Sequence, residues 1–344
     1  MSATEDLLTR IKSAAAKYDQ DVLPKNPALR EAETHSAQEL QRIKSWIGAN
    51  PPPPTVHTLA TAGSLARREA SGASDIDLIV ITHDQPTPEE GAVISAWRTK
   101  LCEELAVEPP NPTGVFAAAI SHTALANSAG YADEAYQDVS KRVLLLLESE
   151  PLYKSEAYDA LLTRIIEKYA YDISRDPRKN FVFLLNDVIR FFRALCVNYQ
   201  YTKSEVDGLK WPLRNTKLRH SRVILYFSMV SVIGVLSREH GQDKIAALRE
   251  FVGMTALRRL AVVYRLSGDG AFFKVAQFYN QFLTVLCDKD SRQELQGLDY
   301  DGRYKSNVFA QLKANSDGLS SELLRFYEAR RREWDDRFFE YMIL

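Results

Sequence analysis

The stretch TAGSLARREASGASDIDLIVIT, residues 61–82, constrains the fold more than any other part of the chain. Asp75 and Asp77 stand at the head of an apolar run that continues to Ile81. Alternate side chains of a strand share a face, so the two carboxylates are predicted to point the same way. The run predicts a buried strand, where paired carboxylates are costly without a partner. We therefore expect them to hold a hard cation, Mg²⁺ or Mn²⁺. A solvated pair of surface acids is the alternative interpretation.

The dipeptide Gly63-Ser64 lies just upstream of this acidic pair. Glycine leaves its backbone open to close approach, and a serine hydroxyl can hydrogen-bond an anion, so this turn is predicted to receive phosphate groups. Residues 55–62, TVHTLATA, predict a strand that leads into the turn. The predicted order is therefore strand, Gly-Ser turn, helix and Asp-x-Asp strand.

Gly63-Ser64, Arg67, Glu69 and the run from Ser74 to Leu78 together resemble the signature of the nucleotidyltransferase superfamily that includes DNA polymerase beta. The resemblance implies an α/β (α+β) domain with a small mixed sheet, and two-metal transfer of a nucleotide from a nucleoside triphosphate. It makes Asp75 and Asp77 the expected metal ligands and, with Ser64, the expected catalytic residues. Gly63, Ser64 and Arg67 are expected to bind the nucleotide. Arg67 and Glu69 are also expected to pair with each other and to brace the connector, the segment between the Gly-Ser turn and the acidic pair.

The pattern departs from that superfamily on the next strand. Residues 115–120, VFAAAI, predict a third strand, where the superfamily usually places a third carboxylate. Here the strand ends in Ser121 and His122, with no acid. Either the third ligand comes from elsewhere, with Glu148 and Asp187 as candidates, or two aspartates suffice, or the enzyme is catalytically reduced.

Length and composition indicate a globular protein of two domains, with 344 residues and a formal net charge of −1. The near-zero charge gives no sign of bulk nucleic-acid binding, although local basic patches remain compatible with it. The six histidines are scattered, and no Cys/His cluster suggests zinc. The N-terminus does not read as a signal peptide, and the longest apolar run, 223–236, is too short to span a membrane. We expect a cytoplasmic protein without membrane insertion.

The hydrophobic period changes near residue 150. Beyond residue 155 it is almost entirely helical, without strand alternation. We therefore predict a catalytic domain over 1–150, including the N-terminal helices, and an all-helical domain over 151–344 that closes the nucleotide cleft. Helices are predicted in the first domain over 3–19, 27–48, 87–106 and 135–149.

The helical domain concentrates cations between residues 203 and 222. Lysine and arginine neutralise charge in phosphoryl transfer, so this segment is predicted to meet the triphosphate. It resembles the corresponding half of superfamily members that produce oligonucleotide signals in bacterial antiphage defence. A solvated basic face is the alternative. The segment 211–217, WPLRNTK, is expected to form a shaped turn before an apolar helix from 221. The expected nucleotide-binding cations are Lys210, Arg214, Lys217 and Arg222.

Two classes of function remain open on the sequence. The first is an enzyme that transfers a nucleoside monophosphate from an NTP or dNTP to a hydroxyl. Its acceptor is another nucleotide, giving a short oligonucleotide product, or a protein or tRNA, as in nucleotidyltransferase toxins and antitoxins. The second is a catalytically reduced nucleotide-binding regulator. A homo-oligomer and an effector protein partner are both compatible with either class.

Overall fold

The computed structural model describes residues 3–72, 74–107, 114–127, 135–205 and 211–343. In these ranges the strands are β1 (Val56–Ala62), β2 (Asp77–Thr82), β3 (Ile120–Ser121) and β4 (Glu150–Tyr153). The α-helices are α1 (Ala3–Lys17), α2 (Pro27–Ala49), α3 (Gly63–Ala66), α4 (Pro88–Glu104), α5 (His122–Asn127), α6 (Tyr136–Leu147), α7 (Ser155–Tyr169), α8 (Tyr171–Arg175), α9 (Val182–Glu205), α10 (Trp211–Lys217), α11 (Val223–Leu236), α12 (Gly241–Val252), α13 (Ala256–Leu266), α14 (Phe272–Cys287), α15 (Lys289–Gly297), α16 (Asn307–Ala329) and α17 (Asp336–Tyr341). Short π-helical segments, Tyr18–Val22 and Leu218–Arg222, follow α1 and α10.

The chain forms two compact units. The sheet unit is Ala32–Arg175, and the helical unit is Met1–Glu31 together with Asp176–Leu344. An α+β part with a small mixed sheet is thus combined with a helical part, as the sequence pattern predicts. The compact units differ from the predicted division at residue 150 at both ends: β4, α7 and α8 fall in the sheet unit, and α1 falls in the helical unit.

The sheet has the strand order β3-β2-β1-β4. β1 is antiparallel to both β2 and β4, whereas β2 is parallel to β3, so the sheet is mixed. β1 and β2 are almost fully buried, and the apolar run of β2 predicts this. On one side α2 and α4 supply Leu40, Ile43 and Leu101 to a core that includes Leu59 and Leu78 of the strands.

The two outer strands differ from the prediction. The predicted strand 115–120 is wrong for most of its length, because residues 114–118 form turns and only Ile120 and Ser121 pair with β2. A buried arginine stabilises that turn conformation, since Arg98 Nη1 donates to the Ala117 carbonyl at 2.7 Å. The sequence did not predict β4, which is four residues long and contains Pro151. A proline is tolerated there because β4 is an edge strand.

The helical unit is built around α11, which is apolar on nearly all sides, as a helix enclosed by others must be. Gly234 allows close packing at this helix, because a Cβ there would collide with the Trp334 ring. The expected turn at 211–217 is wrong, because Trp211–Lys217 is helical, Pro212 included. The continuous helix Trp211–Leu236 is long and apolar enough to cross a membrane. However, 67% of its apolar 18-residue stretch is buried inside the structure.

The N-terminal helix α1 belongs to the helical unit because its apolar stripe is buried there. Leu7, Ile11 and Ala14 are all buried, and α1 packs on α12 and α13. An ion pair joins the π-helical segment after α1 to α13. Both carboxylate oxygens of Asp19 accept from the Arg258 guanidinium, at 2.9 and 2.5 Å. The periodicity of α1 predicted a helix correctly, but it did not say which surface the stripe would cover.

Candidate functional site

The Gly-Ser turn and the acidic pair meet at one end of the β1–β2 ladder. Ala62, the last residue of β1, pairs with Asp77, the first residue of β2. The Thr61 hydroxyl, fully buried, donates to the Asp77 carbonyl at 3.1 Å. Because the ladder is antiparallel, the turn after β1 and the residues before β2 lie at the same end of the two strands. This end is called the acidic edge.

Gly63 is required at this edge for two reasons. Its φ is +71°, a left-handed conformation that residues with a Cβ adopt at a cost. A Cβ on Gly63 would also overlap Asp77 Oδ2 and lie 3.0 Å from Asp77 Cγ. The Asp77 carboxylate therefore packs directly against the bare backbone of the Gly-Ser turn, which brings the predicted phosphate-binding and metal-binding groups together.

The two aspartates have different environments. The strand begins at Asp77 and not at Asp75, so the predicted alternation along one strand face applies only from Asp77 onwards. Ile76 between them is 4% exposed and anchors the segment in the core. Asp75 is exposed, whereas Asp77 is half-buried. The pair thus presents one accessible carboxylate and one held against the turn.

Ser64 lies in α3, a single helical turn whose backbone is tied to the connector. The Gly63 carbonyl accepts from the Arg67 amide at 3.0 Å, and the Ser64 carbonyl accepts from the Glu69 amide at 2.8 Å. The Ser64 side chain is half-buried. These bonds hold the turn compactly while leaving the serine hydroxyl close to the edge formed by Gly63.

Arg67 lies at the centre of a buried ionic cluster. Its Nε donates to Glu69 Oε2 at 2.9 Å, and its Nη1 contacts Glu148 Oε2. The exposed fractions of the three side chains are 6%, 7% and 2%. The predicted pairing of Arg67 with Glu69 is confirmed, and Glu148, a candidate third metal ligand, instead neutralises Arg67. The cluster braces the connector between the Gly-Ser turn and the acidic pair.

Further contacts tie the same connector to α2 and to β4. The buried Ser36 hydroxyl of α2 accepts from the Ala70 amide at 3.0 Å. Arg68, whose φ is +62°, contacts Glu150 at 3.2 Å, and Lys44 contacts the other oxygen of Glu150 at 3.1 Å. The connector is therefore held from both sides, which preorganises the edge it crosses.

The donor set fits a two-carboxylate magnesium site. Within the part of the chain that the structure describes, no three His, Cys, Asp or Glu side chains form a ready metal-binding group. Asp187, the other candidate third ligand, lies on α9 of the helical unit and is 8% exposed. Mg²⁺ keeps several waters and binds through one or two carboxylates plus substrate phosphates, so Asp75 and Asp77 suffice chemically.

The predicted cationic segment is helical and belongs to the helical unit. Arg214 is exposed on α10, while Lys217 and Arg222 are half-buried. Lys210 lies outside the described residues. Arg219, which was not assigned to the nucleotide, donates to the Ser316 hydroxyl at 2.8 Å and pairs with Asp317. Arg219 therefore helps to hold α16 against this segment.

Three of the scattered histidines come together at the opposite end of the ladder. The ring centroid of His57 lies 4.6 Å from that of His83 and 4.7 Å from that of His122. His57 occupies a β-bulge in β1, and the His122 Nδ1 lies 2.9 Å from the His83 carbonyl. Burial, and next the charges of the other two histidines, lower the pKa of His57. No sequence spacing signals this cluster, because His57 lies in β1, His83 follows β2 and His122 follows β3.

A scan of the chain against protein-family models finds no match, and a search of curated proteins finds no similar sequence.

Proposed function

We propose that the protein is a metal-dependent nucleotidyltransferase, which transfers a nucleoside monophosphate from an NTP or dNTP to a hydroxyl acceptor. One observation carries the proposal: the Asp77 carboxylate packs on the Gly63 backbone. This contact brings the acidic pair and the Gly-Ser turn together at one end of the β1–β2 ladder. Along the chain the two elements follow each other as in the superfamily signature. The small mixed sheet and the buried β1 and β2 are the fold context that such a signature requires.

The roles of the residues follow from their chemistry. Asp75 and Asp77 hold the divalent cation, and Ser64 and the backbone after Gly63 bind the terminal phosphates. Bound Mg²⁺ or Mn²⁺ supplies charge neutralisation at the phosphoryl oxygens and aligns the attacking and leaving groups. Arg67 acts as a positioning residue, because its guanidinium already contacts two carboxylates.

The cations of the helical unit complete the proposed site. Their proposed role is to neutralise the pyrophosphate that leaves, and they are Lys210, Arg214, Lys217 and Arg222. Such positioned cations stabilise the charge that develops in phosphoryl transfer.

We assign the acceptor as another nucleotide, so that the product is a short oligonucleotide or a nucleotide signal, as in bacterial antiphage defence. Modification of a protein or tRNA, as by nucleotidyltransferase toxins and antitoxins, is the alternative acceptor chemistry. The nucleoside triphosphates that serve as donors are cytoplasmic metabolites, and the proposal places the protein in the cytoplasm.

A catalytically reduced nucleotide-binding regulator is the second candidate, and β3 favours it. β3 pairs with β2 only at Ile81 and Thr82, the end away from Asp77. It contributes Ile120 and Ser121 and no carboxylate. The neighbouring strand therefore adds no acid beside the pair, which is the departure from the superfamily pattern that a catalytically reduced protein would show.

Turnover with purified protein separates these candidates. The protein is incubated with each α-labelled NTP and dNTP and with Mg²⁺ or Mn²⁺, and free products are resolved from labelled protein and labelled tRNA. We expect free oligonucleotides, and a loss of at least about 10³-fold in rate for the Asp75→Ala, Asp77→Ala double variant, since charge stabilisation by metal is worth several kcal/mol.

The other outcomes assign the other candidates. Label on protein or tRNA supports the modification chemistry. Binding of a nucleotide without any product, and equally by the double variant, contradicts the enzyme proposal and supports the regulator.

A further inference from the structure

An aromatic–cation cluster on the helical unit has no role in the proposed transfer. It is built around Arg303, whose guanidinium carbon lies 3.7 Å from the ring centroid of Tyr300 and 4.6 Å from that of Tyr304. The indole of Trp211 lies 5.8 Å from the same carbon. One positive charge thus contacts three aromatic rings, an arrangement that keeps the cation close to apolar π-faces.

The cluster is held in place by packing beneath it. The Trp211 ring meets the Tyr300 ring edge-on at 4.7 Å and lies 6.4 Å from the buried Phe309. Arg303 begins a 3-10 turn just before α16, and it also donates to the Tyr300 carbonyl. A turn fixed at both ends presents its rings without a large loss of side-chain entropy when a ligand binds.

Tyr304 is the accessible member of this cluster. It is 60% exposed, although the edge of its ring touches Phe309 at 5.7 Å between centroids. A large ring that is packed on one edge and open over most of its surface offers a π-face to a planar partner. Tyr171 of the sheet unit is also exposed, at 50%, and Arg175 lies over its ring. It serves below as a comparison.

The charge around the cluster is positive along α10. Arg214 follows Trp211 by three residues, so both lie along neighbouring positions of one helix flank, and Arg214 is exposed. The segment 211–222 contains no acidic residue. Lys305 adds an exposed cation next to Tyr304. The acids of the adjoining turn are Asp299, which accepts from the Gly302 amide, and the exposed Asp301.

We infer that this surface, formed by Trp211, Tyr300, Arg303, Tyr304 and Lys305, binds single-stranded oligonucleotide. An exposed ring flanked by cations suits a single strand, because a base can stack on Tyr304 while the neighbouring phosphates contact Arg303 and Lys305. A duplex hides its base faces and would use only the cations. The surface therefore distinguishes single strands from duplexes by stacking.

The inference goes beyond the proposed transfer, because strand binding needs neither a metal ion nor a triphosphate. It also agrees with that proposal, since an enzyme that makes short oligonucleotides must retain or release single strands. The two are tested independently when binding is measured in EDTA with the Asp75→Ala, Asp77→Ala variant, which lacks the proposed metal ligands.

Fluorescence anisotropy with 5′-labelled dT12, rU12 and a 12-base-pair duplex tests the inference. We expect a single strand to bind at least about tenfold more tightly than the duplex at 50 mM salt. Tyr304→Ala is expected to weaken single-strand binding about tenfold, and Arg303→Lys, which keeps the charge and loses the planar contact, to weaken it as well. Tyr171→Ala, the matched exposed tyrosine of the sheet unit, is expected to leave binding unchanged.

Salt dependence provides the second measurement. Contacts from Arg303 and Lys305 correspond to a slope of about −1.4 in log affinity against log salt, or roughly a sevenfold loss between 50 and 200 mM. Equal affinity for duplex and single strand, or unchanged binding by Tyr304→Ala in a variant that unfolds at the wild-type temperature, overturns the inference. Tighter binding of dT12 or of rU12 supports it and identifies the sugar.

Discussion

The two ends of the β1–β2 ladder carry opposite chemistry on the same pair of strands. At one end Gly63 and Asp77 are in contact, and Arg67 is neutralised by two buried carboxylates. At the other end, roughly 20 Å away along the strand, the rings of His57 and His122 meet in a cluster flanked by cations. The first end carries carboxylates beside a glycine backbone, whereas the groups of the described residues that shift the pKa of His57 are histidines, a lysine and an arginine.

The difference teaches how sequence distance relates to a site. The acidic end is encoded by one continuous segment, so that its spacing is visible as a motif. The histidine end is contributed by β1, by the residue after β2 and by the start of α5, and only the sheet topology brings them together. Variants at each end test how much each contributes to the free energy of unfolding.

The largest effect on stability is expected at the acidic end, from Arg67→Met. The substitution leaves Glu69 and Glu148 buried without their shared cation, and breaking a buried ion pair in this way costs about 3–5 kcal/mol. Urea unfolding monitored by circular dichroism measures the loss. Arg68→Met is the matched control, because the Arg68 contact with Glu150 is partly exposed and is worth about 0–1 kcal/mol. Equal losses for the two variants would show that the cluster does not brace the connector.

A smaller loss is expected from Gly63→Ala. Alanine at a φ of +71° is strained, and its Cβ overlaps the Asp77 carboxylate, so we expect a loss of about 1–3 kcal/mol. Gly72→Ala, where a Cβ meets nothing within 4 Å, is expected to change stability by no more than about 0.5 kcal/mol. Thermal unfolding of the two variants compares them, and an unchanged melting temperature for Gly63→Ala would contradict the contact with Asp77.

The smallest effect is expected at the histidine end, and it depends on pH. Burial, followed by the charges of His122, His83, Lys154 and Arg164, lowers the pKa of His57 below 6.5, the value for an unfolded chain. The folded state then binds fewer protons than the unfolded state, so this contribution to stability is present above pH 6.5 and is lost as the pH falls through the folded pKa. We expect His57→Gln to flatten the decrease of the urea midpoint on acidification.

His35→Gln provides the control for that measurement. His35 lies on α2 and takes no part in the ring cluster. The same pH dependence in wild type and His57→Gln, or an equal flattening in His35→Gln, would assign the acid sensitivity to other groups.

Local signals predicted the centre of the sheet unit and most helices. The Thr87–Glu90 capping box with Pro88 starts α4 where the pattern placed it, and the apolar runs of β1 and β2 form the two central strands. These elements were predictable because hydrophobic patterns and helix-start residues are visible in short stretches of sequence. The adjacency of Gly63 and Asp77 follows from the antiparallel pairing of Ala62 with Asp77.

Elements at the edge of the sheet were not predictable in the same way. β4 is too short to show alternation, and β3 keeps only two residues because Arg98 stabilises a turn before it. The helical segment Trp211–Lys217 includes Pro212, a residue that is compatible with either a turn or a helical turn. In each case a contact distant in sequence decides between two local conformations that cost nearly the same.

The sequence by itself determined the acidic edge. It contains a Gly-Ser turn, the connector and an Asp-x-Asp segment that leads into β2, with Arg67 and Glu69 spaced to pair. Only the tertiary structure decided that Glu148 completes the Arg67 cluster, that three histidines meet at the far end of the same strands, and that Arg303 contacts three rings. The physical reason is range. Helix capping and the Arg67–Glu69 pair act between near neighbours in sequence, whereas the Glu148 contact and the ring contacts depend on which surfaces the packed core brings together.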